Sequence, residues 1–322
     1  MKAGVIGVGV MGKNHARIYS ELGILKCVAD INEKSLKEIS EKHGVKGYLD
    51  YKEMLEKEDL DLVSIVVPTN KHREVALDVI EKGVNLLIEK PIANKIDEAV
   101  EIMKSAKEKN VKLMIGHIER FNPGVQALKK VIDNKELGKI SSVTAKRVGV
   151  SPLRINDVNV VVDSAIHDID VFNFLFGKKP EKIVGKMGKI LDHHETEDYS
   201  HIFLDYGEFS GFIEANWLTP IKIRKLYVTG SEGYAELDYI NQELVLYKSR
   251  NRELEDWIDF SGFRNVGSCD KIEVGVEVRE PLKLEIEHFV DCVRNDKEVL
   301  VSGEDGLEAL KVALRVIGEK DN

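Results

Sequence analysis

Lys90, Asp163 and His167 are residue types that can move protons, and each stands in a context that would aim it. Lys90 belongs to Glu89-Lys90-Pro91, directly after the apolar run Asn85–Ile88. Pro91 fixes its own φ and restrains Lys90 to extended backbone, so an ammonium there points in one direction. It polarises a substrate hydroxyl, bonds a ribose, or is a plain surface lysine before a turn. Asp163 and His167 are four residues apart and Asp170 lies three further on, so the three share one helix face. Imidazole is suited to taking a proton from an alcohol near neutral pH, and a neighbouring carboxylate stabilises its charged form. The same spacing suits two metal ligands, but no strong third ligand accompanies them, and no metal is expected. In a purely architectural role Asp163 would cap the helix and His167 would pack at an interface.

A second constellation opens the chain. Gly7, Gly9 and Gly12 form G-x-G-x-x-G after a short apolar run, and Met11 to Leu22 can continue as a helix. Gly7 permits the tight turn, Gly9 lets backbone approach a pyrophosphate, and Gly12 lets helix and strand pack closely. The amides of Val10 and Met11 would then face the phosphates. Asp30 ends the next apolar run, about 20 residues on, where a carboxylate binds an adenosine ribose and repels a 2′-phosphate. The expected cofactor is therefore NAD. Pro68-Thr69-Asn70-Lys71-His72 follows another apolar run. Thr69, Asn70 and His72 are placed to contact ribose or phosphates, and Thr69 or Asn70 also suits a helix N-cap. His193-His194 lies among Glu195, Glu197 and Asp198 and reads as a solvated loop.

These residues need elements to hold them. Up to about Gly116, β-rich runs at Ala3–Ile6, Lys26–Ala29, Leu62–Val67, Asn85–Ile88 and Lys112–Ile115 alternate with helical stretches. The helices are Ser35–His43, Lys52–Glu56, Lys71–Glu81 and Asp97–Lys109. Such alternation predicts a parallel sheet covered on both faces, with ligands bound beyond the strand C-termini. Gly7, Asp30, Pro68, Glu89 and His117 all fall there. After Phe121-Asn122-Pro123-Gly124 the pattern changes to a helix at Val125–Asn134, a strand at Ile140–Val148 and an apolar helix at Ile166–Phe176. Strand-like runs follow at Tyr199–Tyr206, Glu208–Trp217, Arg224–Thr229, Tyr234–Asp238 and Glu243–Lys248, joined by short turns. The expectation is α/β: a doubly wound parallel sheet, then an α+β domain with an open, mainly antiparallel sheet. The terminal helices, Leu282–Arg294 and Gly306–Ile317, can pack on either domain.

A chain of 322 residues suits two domains, and 43% hydrophobic residues can fill two cores. A formal charge of −9 argues against nucleic-acid and membrane-surface partners. Cys27, Cys269 and Cys292 lack metal spacing, and Cys27 reads as a buried free thiol. No apolar run approaches membrane-spanning length and Met1-Lys2 leads straight into a strand, so a cytoplasmic location is expected.

In order along the chain, the glycine turn, Pro68-Thr69-Asn70-x-His72, Glu89-Lys90-Pro91, Asp163-x-x-x-His167 and Ser302-Gly303-Glu304-Asp305-Gly306 resemble the Gfo/Idh/MocA family of sugar and polyol oxidoreductases. The resemblance implies a Rossmann domain over residues 1–120 and a substrate-binding, oligomerising domain over 121–322. It implies NAD, a catalytic trio of Lys90, Asp163 and His167, and a homo-oligomer, dimer or tetramer, formed on the sheet's free face. A finer likeness spans Gly116–Pro123, Lys146–Gly149 and Arg154–Val158, and it implies a nucleotide-sugar substrate. Arg120, Arg147 and Arg154 join the substrate set on that basis, because guanidinium pairs well with diphosphate oxygens, and Asn122 joins them from the same stretch; Arg120 could equally orient a catalytic or cofactor group. Asn159 and Ser164 depart from that pattern, where glycine and leucine are usual. A dinucleotide-binding sensor without catalysis would keep the glycine turn and Asp30 but would not need Lys90, Asp163 and His167 together.

Overall fold

The computed structural model describes residues 1–150, 159–249 and 269–318. They divide into two compact units, one drawn from 1–121 with 280–311, the other from 122–279 with 312–318. The sequence left the terminal segment open between the domains; residues 280–311 belong to the first unit.

The first unit alternates strand and helix: β1 (Ala3–Ile6), α1 (Val10–Glu21), β2 (Leu25–Ala29), α2 (Glu33–His43), β3 (Lys46–Tyr48), α3 (Tyr51–Lys57) and β4 (Leu62–Ile65). It continues through α4 (His72–Glu81), β5 (Asn85–Glu89), α5 (Ile96–Glu108) and β6 (Leu113–Gly116). All six strands run parallel in the order β3-β2-β1-β4-β5-β6. Every residue of β1 and β4 is buried, as a sheet covered on both faces requires. Strand order reverses beside β1, and a crevice opens beyond the strand C-termini at such a point. The edge strand β3 is absent from the sequence reading; it has three residues, two of them exposed, and carries no apolar pattern. Near the C-terminus, α8 (Pro281–Asn295) and α9 (Gly303–Val316) follow.

The second unit contains α6 (Pro123–Asp133), β7 (Ile140–Val150), a π-helical turn at Val161–Ala165 and α7 (Ile166–Phe176). Strands β8 (Lys182–Gly188), β9 (Tyr199–Asp205), β10 (Ser210–Asn216), β11 (Leu218–Gly230), β12 (Gly233–Asp238), β13 (Glu243–Ser249) and β14 (Cys269–Val274) complete it. The sheet order is β14-β13-β12-β11-β7-β10-β9-β8, with only the β7–β10 pair parallel. On β7, Val143, Ala145 and Arg147 alternate into one buried row, and Val148 is buried beside them. Phe172 of α7 covers the sheet so closely that a Cβ on Gly211 would lie 3.1 Å from its ring. Among the described residues no helix is long and apolar enough to cross a membrane.

Candidate active site

The glycine turn is shaped by backbone contacts. Gly7 has φ +88°, and a Cβ there would sit 2.3 Å from the Val66 carbonyl oxygen. A Cβ on Gly12 would lie 1.8 Å from the Gly7 oxygen, so only glycine lets α1 start this close to β1. Gly9 is the opposite case, because a Cβ there meets nothing within 4 Å. The space above it is open to a ligand. No side chain caps α1, no acidic residue stands in its first turn, and Val10 and Met11 are exposed. Unclaimed amides at a helix start suit a pyrophosphate. Asp30 Oδ2 accepts the Val8 amide at 2.7 Å and Oδ1 accepts the Asn32 amide at 2.7 Å, so its carboxylate fastens the glycine turn to the end of β2. These residues fit a dinucleotide.

Lys90 follows β5 directly, and its peptide bond to Pro91 is cis. Its neighbours are tightly held. His15 Nε2 lies 3.0 Å from Glu89 Oε1, His15 Nδ1 lies 3.0 Å from Ser64 Oγ, and Tyr19 Oη lies 2.8 Å from the same Oγ. Burial alone would raise the Glu89 carboxyl, but the His15 bond and charge, with Lys90 beside it, hold it below the usual carboxylate range. Glu285 on α8 is fully buried, and neither carboxyl oxygen has a hydrogen-bond partner among the described residues. Desolvation, then the charge of Glu89, pushes its carboxyl well above the ordinary carboxylate range. The sequence reading missed His15, Ser64, Tyr19 and Glu285. His15 and Tyr19 stood four apart on the buried stripe of α1, a polar pair in an apolar row, and that was the available signal.

His72 corrects an expectation. It is 1% exposed, with Nδ1 2.8 Å from the Pro91 carbonyl oxygen and Nε2 3.0 Å from that of Val67. Two carbonyl acceptors favour the doubly protonated ring, but burial is the larger influence and lowers its pKa. This histidine braces the Lys90 loop instead of reaching for a cofactor. Pro68 and Asn70 are exposed and Thr69 half-buried at the start of the adjacent short turn, Thr69–Lys71. No side-chain cap is formed there.

In the second unit Asp163 lies within the π turn and His167 in the first turn of α7, both half-buried. Asn159 Oδ1 accepts the amides of Val161 and Val162, each at 3.1 Å. Capping therefore falls to Asn159 and not to Asp163. Ser164 Oγ donates to Asp163 Oδ2 at 2.9 Å and accepts from Trp217 Nε1 at 3.3 Å. Of the two departures from the family pattern, Ser164 thus bonds the aspartate and Asn159 caps the turn that carries it. Asp170 is buried at 1% exposure. His194 packs edge-on to Trp217 at 5.5 Å, with Nδ1 3.4 Å from Asp198, so it is a packed residue and not a solvated one.

The residues expected to meet a diphosphate are placed differently. Arg147 is 6% exposed; its Nε and Nη2 donate to Asp168 at 2.6 and 3.1 Å, and it stacks over Tyr239 at 4.9 Å. Tyr239 Oη donates to the same carboxylate at 3.0 Å. Strand period explains this, since Arg147 points the same way as Val143 and Ala145 and a guanidinium in that row requires an internal counter-ion. Arg120 is 4% exposed and pairs with Asp305 at 3.0 Å. Burial opposes the Asp305 charge, yet Arg120 and Ser302 keep its carboxyl below the usual range. Asn122 caps α6 through the Gly124 amide at 3.0 Å and donates to the Tyr239 carbonyl at 3.0 Å. Arg154 lies outside the described residues.

Known proteins match both domains. Residues 1–117 match the oxidoreductase family with an NAD-binding Rossmann fold, and residues 125–236 match the GFO/IDH/MocA C-terminal domain. The UDP-N-acetylglucosamine 3-dehydrogenase of Acidithiobacillus ferrooxidans is 29% identical over 98% of this chain and 96% of its own. Its solved structure superposes with a TM-score of 0.86 at 27% identity, covering 98% and 96% of the two chains. The NAD-dependent scyllo-inositol 2-dehydrogenase of Bacillus subtilis is 27% identical over 98% and 92%. NAD is the cofactor that the first domain is built to hold. With both of its domains matched in order, the chain belongs to the Gfo/Idh/MocA family of oxidoreductases.

Proposed function

We propose that this protein is a nucleotide-sugar dehydrogenase that oxidises the C3 hydroxyl of UDP-N-acetylglucosamine to the 3-keto sugar. The observation that carries this reading is the end-to-end likeness to the Acidithiobacillus enzyme of that activity, in sequence and in fold. NAD supplies the hydride acceptor. His167 takes the hydroxyl proton, Lys90 hydrogen-bonds the oxygen as its charge develops, and Asp163 supports the charged imidazole. The C–H bond breaks with its electron pair leaving as hydride, the O–H proton goes to His167, and the products are ketone, NADH and a released proton.

A second reading keeps the chemistry and changes the alcohol to a free polyol such as an inositol. It is favoured by the internal pairing of Arg120 and Arg147, which leaves those cations committed to Asp305 and Asp168. NADH formation measured at 340 nm against UDP-N-acetylglucosamine, other nucleotide sugars and inositols separates the two. Inhibition by UDP alone supports the first reading; turnover of inositol unaffected by UDP supports the second. His167→Ala is expected to lower turnover by about 10²–10⁴-fold with NAD binding retained, and near-normal turnover would remove the proposed base. The reading includes a homo-oligomer formed on the free sheet face, where Val184, Phe203 and Phe212 align across three strands. Light scattering that returns a monomer mass would remove that part.

A further inference from the structure

Lys90 stands between two histidines that reach it from different helices. On one side His15 of α1 is bonded to Glu89 Oε1, and Glu89 Oε2 lies 3.3 Å from the Lys90 backbone nitrogen. On the other, His72 at the start of α4 sets Nδ1 2.8 Å from the Pro91 carbonyl oxygen. Their exposures are 0% and 1%, so neither ring is placed for substrate. On the first side the contacts run from Glu89 through His15, engaged at both ring nitrogens, to Ser64 Oγ and Tyr19 Oη. A buried ring engaged at both nitrogens is rigid, because turning it would break both contacts. An ordinary surface lysine would need no buried support of this kind.

We propose that His15 and His72 are positioning residues that clamp Lys90, one through the preceding side chain and one through the following carbonyl, and so set the direction of its ammonium. The inference rests on the role given to Lys90 above. Because α1 also presents the open glycine turn, the clamp ties the ammonium to the helix that holds the dinucleotide.

The geometry dictates which replacements preserve the clamp. His72→Asn keeps a donor near the Nδ1 position and can still bond Pro91, whereas His72→Gln moves its amide toward Nε2 and Val67. His15→Gln keeps a donor near Nε2 for Glu89, whereas His15→Leu has none. Two measurements on the full chain test this. In spectra of protein labelled with ¹⁵N-lysine, the Lys90 amide peak, identified by its loss in Lys90→Ala, should move in His72→Gln and His15→Leu. It should stay near its place in His72→Asn and His15→Gln. Turnover should fall about 10–100-fold in the first pair, the scale of a misplaced catalytic group, with NADH affinity within about twofold. In a Lys90→Ala background the same substitutions should cause no further loss. An unmoved Lys90 peak in both disruptive variants would overturn the clamp. So would an equal loss of turnover with and without Lys90, which marks a general structural role. Full turnover in Lys90→Ala alone would instead overturn the catalytic reading, and the spectrum would still judge the clamp. Should His15→Leu fail to fold, the two His72 variants carry the comparison.

Discussion

Two buried charged clusters, one in each unit, are built in opposite ways. Around Lys90, the first unit collects Glu89, His15 and Glu285 and leaves one of them, Glu285, without a hydrogen-bond partner among the described residues and with its carboxyl raised. Around Arg147, the second unit completes its ion pair, with two bonds to Asp168, a third from Tyr239 and an aromatic face beneath the guanidinium. A completed pair holds a fold in place. A buried acid left without a partner does not hold a fold in that way, and polar groups of that kind gather at functional sites.

Breaking the completed pair should have the largest effect. Arg147→Met leaves Asp168 buried without its partner and is expected to cost about 3–5 kcal/mol in chemical denaturation. Adding Asp168→Leu should recover much of that loss. A marked weakening of UDP inhibition with unchanged stability would instead return Arg147 to the substrate set. Next come the glycines of the first unit. Gly12→Ala places a Cβ 1.8 Å from the Gly7 carbonyl oxygen and should cost about 3 kcal/mol. Gly9→Ala, where a Cβ meets nothing within 4 Å, should alter stability by no more than about 0.5 kcal/mol while weakening NAD binding. Equal losses of stability in the two variants would refute the contrast.

Glu285 supplies a test through pH. Its carboxyl is raised in the folded protein, so the native state holds a proton that the unfolded chain releases. The resulting stabilisation is complete below the ordinary carboxylate range and is lost progressively as pH rises toward the folded-state value. Glu285→Gln removes that slope, and denaturation midpoints of the variant should gain on the parent protein as pH climbs from 5 to 8. Parallel midpoints would show that its carboxyl is not raised by folding. A modest effect is expected for Ser164→Ala, which removes the donor to Asp163 and the acceptor of Trp217. About 1 kcal/mol of stability should be lost, with a shift in Trp217 emission read in a Trp257→Phe background. Unchanged emission would deny the indole bond.

What the sequence disclosed follows the same division. The glycine turn, Asp30 and the parallel strands were legible because local steric demands write them directly into residue type and spacing. The fates of Arg120, Arg147 and Asn122 were not, because Asp305, Asp168 and Tyr239 are brought to them only by folding. Even so, the alternation of Val143, Ala145 and Arg147 marked position 147 as a core-facing site that would need a counter-ion. Strands β8 and β14 escaped notice because, like β3, they are sheet edges with mostly exposed residues. The π turn at Asp163 was equally hidden, since a single wider turn leaves no periodic mark in so short a stretch.

Asp30 bears on any attempt to change cofactor choice. Both of its oxygens already serve main-chain amides, one at the start of the glycine turn and one at the cap of α2. Replacing it with a small neutral residue to admit a 2′-phosphate would therefore slacken the cradle at the moment a bulkier ligand is offered to it. Engineers seeking that switch would do better to retain an acceptor at position 30, as in Asp30→Asn, and to introduce the new cation at the exposed neighbour Ile31.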